Sequence, residues 1–201
     1  MSIDNLNIIK PLLKFDNENE FYFLQIIQRK KDMRDIGEEL KGNNNSSRLI
    51  KAYYIYSIES LDKQYGEIVK LCKLFDARAC INLNKRNAYD MGLAIMARIA
   101  ENIKNKHVTQ LHRIYNTVCG EHNHDSDKSW IIDIDHKNRR EINEVIVFTD
   151  KLDPVGFKMK AMIESKSGFH IITSPFHLTN FKERYPDIDV HKNNPTNLYI
   201  P

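Results

Sequence analysis

Apolar positions along the chain repeat with two periods. Through 58–75, "IESLDKQYGEIVKLCKLF", Ile58, Leu61, Tyr65, Ile68, Val69, Cys72 and Leu74 recur at helical spacing, with Ser57 or Ser60 available as cap. The stretch 88–105, "AYDMGLAIMARIAENIKN", is rich in alanine, methionine and leucine and predicts another helix. Helices are also expected at 107–118, at 140–152 on Ile142, Val145, Ile146, Thr149 and Leu152, and briefly in "LTNFKERY". Aromatic and β-branched runs predict strands. "FYFLQIIQRK" (21–30) and "RLIKAYYIYS" (48–57) read as an antiparallel pair with the Asn-rich 41–47 between them. Further strands are expected at 77–86, in "WIIDID", at 157–165 and 168–174 around the turn "SKSG", and in "DIDVHK" and "TNLYI".

The expected fold is therefore α/β (α+β): a mixed, mostly antiparallel sheet packed with helices. A chain of 201 residues fits a single domain. Within it a core from about residue 48 onward follows an N-terminal strand and helix extension over 1–47. With 41% apolar and 28% charged residues, composition indicates neither a disordered chain nor a membrane protein. No apolar run approaches a bilayer span, and the N-terminus lacks the basic-then-apolar layout of a secretion signal. Cys72, Cys80 and Cys119 form no paired set, which fits a reducing compartment, so a cytoplasmic protein without disulfides is expected.

Thirty basic residues against 27 acidic ones give a net charge of only +3, so any nucleic-acid contact must come from a local patch. Basic residues cluster at 28–34, at 85–87 and at 136–140. The first reads as a solvated face. The last, with Lys137, Arg139 and Arg140, directly follows a pair of aspartates.

That pair carries the chemistry. In "WIIDIDHKN", strand alternation puts Asp133 and Asp135 on one side and Trp130, Ile132 and Ile134 on the other. Two carboxylates roughly 6 to 7 Å apart at their β-carbons repel unless solvent or a cation lies between them. Oxygen ligands suit Mg²⁺ or Mn²⁺, and such ions usually bring phosphates; the plainer alternative is a strand end with solvated acids. In "ESKSGFHIITSPF", Ser165, Lys166, Ser167 and the amide of Gly168 make a donor-rich corner, and His170 adds a donor from the following strand. Gly168 is expected to supply a positive backbone dihedral, and a triphosphate suits such donors; an ordinary hairpin is the alternative.

An acidic pair in a strand, "IIDID", followed by "SKSGFH" with a small residue two places before histidine, resembles the catalytic core of the archaeo-eukaryotic primase superfamily, which includes primase-polymerases of phages and plasmids. The likeness covers 130–176, and 77–86 is similar to a core strand of that family. It implies an RRM-like catalytic core in which Asp133 and Asp135 bind divalent metal, while Ser165, Lys166, Ser167, Gly168 and His170 hold the incoming nucleotide. The family's third motif is a lone acid, for which Asp189, or Asp187 just before it, is the candidate. The implied activity is metal-dependent nucleotidyl transfer from nucleoside triphosphates to a DNA or RNA primer on a template. Addition is expected rather than primer initiation, because no further helical or zinc-bearing module follows.

Alternatives are a metal-dependent nuclease or phosphoesterase using the same acids, and a catalytically inactive nucleic-acid-binding module on the same sheet. Three smaller signals remain. Cys119, His122 and His124 could hold a structural Zn²⁺, against a solvated loop. Arg78, Lys85 and Arg86 could touch template phosphates, against surface ion pairs. Tyr53, Tyr54 and Tyr56 could stack bases, against half-buried sheet positions.

Overall fold

Ser57 accepts a hydrogen bond from the Ser60 amide at 3.1 Å and starts helix α2 (Ile58–Phe75), whose spacing seats Leu61, Ile68 and Cys72 in the interior. Asp76 closes it in the left-handed conformation, its amide returning to the Cys72 carbonyl. The computed structural model describes residues 2–29, 47–121 and 127–201. Around α2 the chain runs β1 (Ile3–Asp4), α1 (Leu6–Ile9), β2 (Glu20–Arg29), β3 (Ser47–Ile55), β4 (Arg78–Ile81), β5 (Arg86–Asn87), α3 (Ala88–Lys104) and α4 (Ile114–Glu121). Then come β6 (Trp130–Ile134), α5 (Arg139–Asp150), β7 (Met159–Glu164), β8 (Phe169–Thr173), α6 (Leu178–Arg184), β9 (Asp189–His191) and β10 (Thr196–Ile200).

The fold is α/β with antiparallel sheets packed against helices, but the strands divide into two sheets where one was expected. The first has the order β1-β10-β4-β2-β3 with β5 also on β2; the second is β7-β8-β6-β9. Every strand pairing among the described residues is antiparallel, so strand directions are not mixed. β10, from the end of the chain, crosses back between β1 and β4 and so ties the N-terminal segment to the body. One core joins both sheets: Leu24, Ile26, Ile55, Ile81 and Leu198 of the first pack with Ile131, Ile163 and Ile172 of the second, under α2. A second core fills the far side of the second sheet with Ile132, Ile134, Ile171 and Phe181.

Three buried asparagines stitch the sheets together. Asn5 donates to the carbonyls of Glu164 and Asn197 at 2.9 and 3.0 Å, linking β7 to β10. Asn84 donates to Lys192 and Ser129 carbonyls and accepts from the Ser129 amide at 2.6 Å. Asn82 donates to the Asn193 carbonyl at 2.7 Å. The strand expected over 77–86 ends at Ile81: the Asn82 amide still donates to the Phe23 carbonyl of β2, while the Asn82 and Asn84 side chains reach the segments next to β6 and β9. Lys85 and Arg86 turn inward rather than to a surface or a template. Lys85 pairs with Asp16 and, at 3.0 Å, with Glu20. Arg86, fully buried, donates to the carbonyls of Cys119 and Asn84 and, at 3.3 Å, to Asn193 Oδ1.

The helix expected over 107–118 begins as a 3₁₀ stretch, Val108–Arg113, and becomes α-helical only at Ile114. No helix among the described residues is long and apolar enough to cross a membrane. Tyr53 and Tyr54 are packing residues: Tyr53 is buried, and Tyr54 donates to Asn116 Oδ1 at 3.0 Å and stacks on Phe23. Tyr56 is exposed.

Candidate functional site

β6 and β8 lie side by side in antiparallel register, Ile131 opposite Ile172 and Asp133 opposite His170. Directly opposed residues share a face, so the same alternation that buries Ile131 and Ile172 between the sheets brings Asp133 and His170 out together at the open end. There a cleft of about 510 Å³ opens between the two sheets. Asp133, Asp135 and His170 line it from the second sheet, together with Ser165, Lys166 and Ser167 of the β7–β8 turn; Arg29 and Arg78 line it from β2 and β4. Three cations thus face two carboxylates across one space.

The two ring nitrogens of His170 face different groups. Its Nε2 lies 3.4 Å from Asp133 Oδ1, and its Nδ1 lies 2.8 Å from Thr196 Oγ1 on β10. Burial pushes its pKa below the usual imidazole value, with His191 and Arg29 acting in the same direction, while Asp133 and Asp135 oppose the shift. When the buried Thr196 hydroxyl donates to Nδ1, the ring proton sits on Nε2, facing Asp133 and the cleft. His191 approaches the other oxygen of Asp133 at 3.9 Å.

The β7–β8 turn differs in detail from its sequence reading. Gly168 does not take a positive φ; among the described residues the glycine in that conformation is Gly156. What requires glycine at 168 is crowding: a Cβ there would meet the Ile134 carbonyl oxygen at 1.9 Å and the His136 amide nitrogen at 2.7 Å. Nor is the Gly168 amide open to a ligand, because it donates to Ser165 Oγ at 3.0 Å while the Ser165 amide returns to the Gly168 carbonyl. Ser165, itself buried, therefore clamps the turn. Ser167 points the other way and donates to Asp135 Oδ1 at 2.7 Å. Asp135 lies one residue past the end of β6, so this hydroxyl, not the ladder, orients its carboxylate. Lys166 is exposed at the cleft mouth.

Asp189 stands opposite Asp133 on β9, the strand flanking β6 on its other side. Its side chain is mostly exposed, lies 3.7 Å from Lys182, and with Asp187 lines not the cleft but an adjoining hollow that Asp133 and Asp135 also border. Among the described residues no three histidine, cysteine or acidic side chains converge tightly enough to cage a metal on their own. Asp133 and Asp135 nevertheless suit a hard divalent ion, which is commonly held by one or two carboxylates with water and substrate phosphates completing its shell.

The proposed nucleic-acid contacts separate. Arg78 is a nearly buried wall of the cleft. Lys137, Arg139 and Arg140 are exposed outside it, with Lys137 paired to Glu164 at 2.8 Å and Arg140 to Glu144 at 3.2 Å. Cys119 is fully buried, and burial pushes its thiol up to about 12, so it is protonated at neutral pH. The other two suggested zinc ligands, His122 and His124, lie outside the described residues. Sequence reading missed Arg29, His191 and Thr196 as parts of the site. Arg29 had a signal in the basic run at 28–34, and His191 in "DVH", but Thr196 had none. No family model, curated protein or solved structure matches the chain.

Proposed function

We propose that the protein is a metal-dependent nucleotidyltransferase of the primase-polymerase kind, adding nucleotides from nucleoside triphosphates to a DNA or RNA primer. The observation that carries this reading is the register pair Asp133–His170 at the floor of a cleft whose other wall presents Arg29 and Arg78. An acid pair beside fixed cationic and neutral donors suits a ligand that is both polyanionic and metal-bound.

Asp133 and Asp135 would hold Mg²⁺ or Mn²⁺, which when bound supplies charge neutralisation at the phosphates and a lowered pKa for a coordinated hydroxyl. The chain's own groups do the rest. Arg29, Arg78 and Lys166 grip phosphate oxygens. His170, held neutral by burial and oriented by Thr196, offers its Nε2 proton without adding charge beside Asp133. Ser167 keeps Asp135 turned toward the cleft. In the transfer a primer 3′-hydroxyl loses its proton to solvent, its oxygen forms a bond to the α-phosphorus, the bond to the bridging oxygen breaks, and pyrophosphate leaves with the negative charge that these cations meet. The exposed Lys137, Arg139 and Arg140 are the surface on which template phosphates would lie, and a cytoplasmic location belongs to the same reading.

A labelled primer-template incubated with Mn²⁺ and each nucleotide pool tests the proposal. Extension by the wild type, lost in Asp133→Ala/Asp135→Ala, is expected. Cleavage of the oligonucleotide without added nucleotide would point instead to a nuclease, and chelator-insensitive binding without turnover to an inactive binding module. Extension that survives the double substitution removes the acid pair from the chemistry.

A further inference from the structure

Helix α3 carries two apolar faces, and among the described residues only one of them is packed. Met91, with Ala88, Ala94 and Ile95 around it, packs on Phe21 and Phe23 of the first sheet. Tyr89, Leu93, Met96, Ile99 and Ile103 lie on solvent, Tyr89 being 74% and Met96 66% exposed. Their successive spacings are four, three, three and four residues, a mean of 3.5, the period of a helix-pairing seam. Gly92, Ala97 and Ala100 flank the seam with small side chains, and a Cβ on Gly92 would meet open space. No residue of this stripe lines the cleft.

The stripe is also symmetric in sequence. Counted from Met96, its large residues stand seven and three positions before and three and seven after. A second copy of the helix laid antiparallel, with Met96 on the two-fold axis, therefore matches large residue to large residue: Tyr89 to Ile103 and Leu93 to Ile99. Charge agrees with that direction. Asp90 sits in the first turn and Lys104 in the last, so antiparallel pairing puts each aspartate beside the other copy's lysine, whereas parallel pairing sets like against like. The five large residues together expose on the order of 600 Å², most of the about 800 Å² per partner of a standard specific interface and at the upper end of what an isolated monomer leaves in one patch.

We propose that α3 is a homodimer interface, two copies of the chain pairing their α3 helices antiparallel across a two-fold axis at Met96. The interface lies apart from the cleft and does not depend on what the cleft binds. Sedimentation equilibrium of the full chain tests it: the wild type dimerises, and Met96→Glu, which sets two carboxylates against each other on the axis, raises the dissociation constant at least about a hundredfold. The same variant keeps its circular dichroism, and its urea midpoint equals that of the wild type at concentrations below the wild type's dissociation constant, since position 96 is outside the core. Asp90→Lys or Lys104→Asp alone weakens the dimer, and the two combined restore it. Direction is read by crosslinking: Met96→Cys couples to itself on mild oxidation, and Tyr89→Cys couples to Ile103→Cys in a mixture. A wild type that stays monomeric up to its solubility limit overturns the proposal, as does a dimer indifferent to Met96→Glu. Tyr89→Cys coupling to itself, as in parallel helices, does so too.

Discussion

Thr196 Oγ1 lies 2.8 Å from His170 Nδ1, although the two residues are 26 positions apart and belong to different sheets. The bond joins β10 of the first sheet to β8 of the second at the head of the cleft. It fixes the imidazole plane and leaves Nε2 as the nitrogen that faces Asp133, so the distance between the sheets and the chemistry of the cleft are coupled through one hydroxyl.

The depressed pKa of His170 makes stability depend on pH. Above its ordinary value of 6.5 the ring is neutral in the folded and unfolded chains alike, and it contributes no pH dependence. Below 6.5 the unfolded chain binds the proton first, so stability falls until the folded ring is itself protonated. Urea midpoints measured from neutral to mildly acidic pH should fall in the wild type and fall less in His170→Gln. Parallel curves for the two proteins would show that the ring titrates alike folded and unfolded.

Gly168→Ala should destabilise the protein by about 2–3 kcal/mol, because the new methyl has to push the Ile134 carbonyl and the chain at His136 away from β8. Since those residues flank Asp133 and Asp135, Mn²⁺ affinity should drop in the same variant. Calorimetric unfolding and metal titration check both, and a neutral substitution would mean the strands can separate freely.

Asn84→Ala should cost about 2–3 kcal/mol, as it strips partners from the Ser129 amide and carbonyl and from the Lys192 carbonyl. The loss should localise: amide exchange ought to quicken at Ser129 and in β9 before it does in α2. Uniform acceleration across the chain would show that the asparagine serves global stability rather than the join between the sheets.

Ser167→Ala should leave the fold intact, since Ser167 is exposed, yet weaken Mn²⁺ binding about tenfold by freeing the Asp135 carboxylate to rotate. Ser165→Ala should do the reverse, lowering stability through the loss of the turn clamp more than it changes the metal's affinity. Equal effects of the two substitutions on both readouts would erase the distinction between clamp and orienting group.

Much of the architecture was legible in local order. Helix α2 occupies the span its apolar spacing marked, with Ser57 rather than Ser60 as cap, and β2 and β3 pair antiparallel as their composition suggested. Where reading failed, side chains were answering to distant backbone. Asn82 and Asn84 look like ordinary strand or turn residues, and their side-chain partners, Asn193, Ser129 and Lys192 beside β9 and β6, are nowhere near them in sequence. Lys85 and Arg86 look like surface cations, and only acids and carbonyls far along the chain let them be buried.

By itself the sequence determined the periodic faces and the face-sharing of residues two apart, because these follow from backbone geometry within a few residues. It marked Asp133 and His170 as belonging to strands, but not that they stand opposite one another. That was decided by the register of β6 on β8, which the packing of Ile131 and Ile172 between the sheets holds in place. The arrival of Arg29, Arg78 and Thr196 at the same cleft was decided by the meeting of two sheets, a long-range event to which no local pattern is bound.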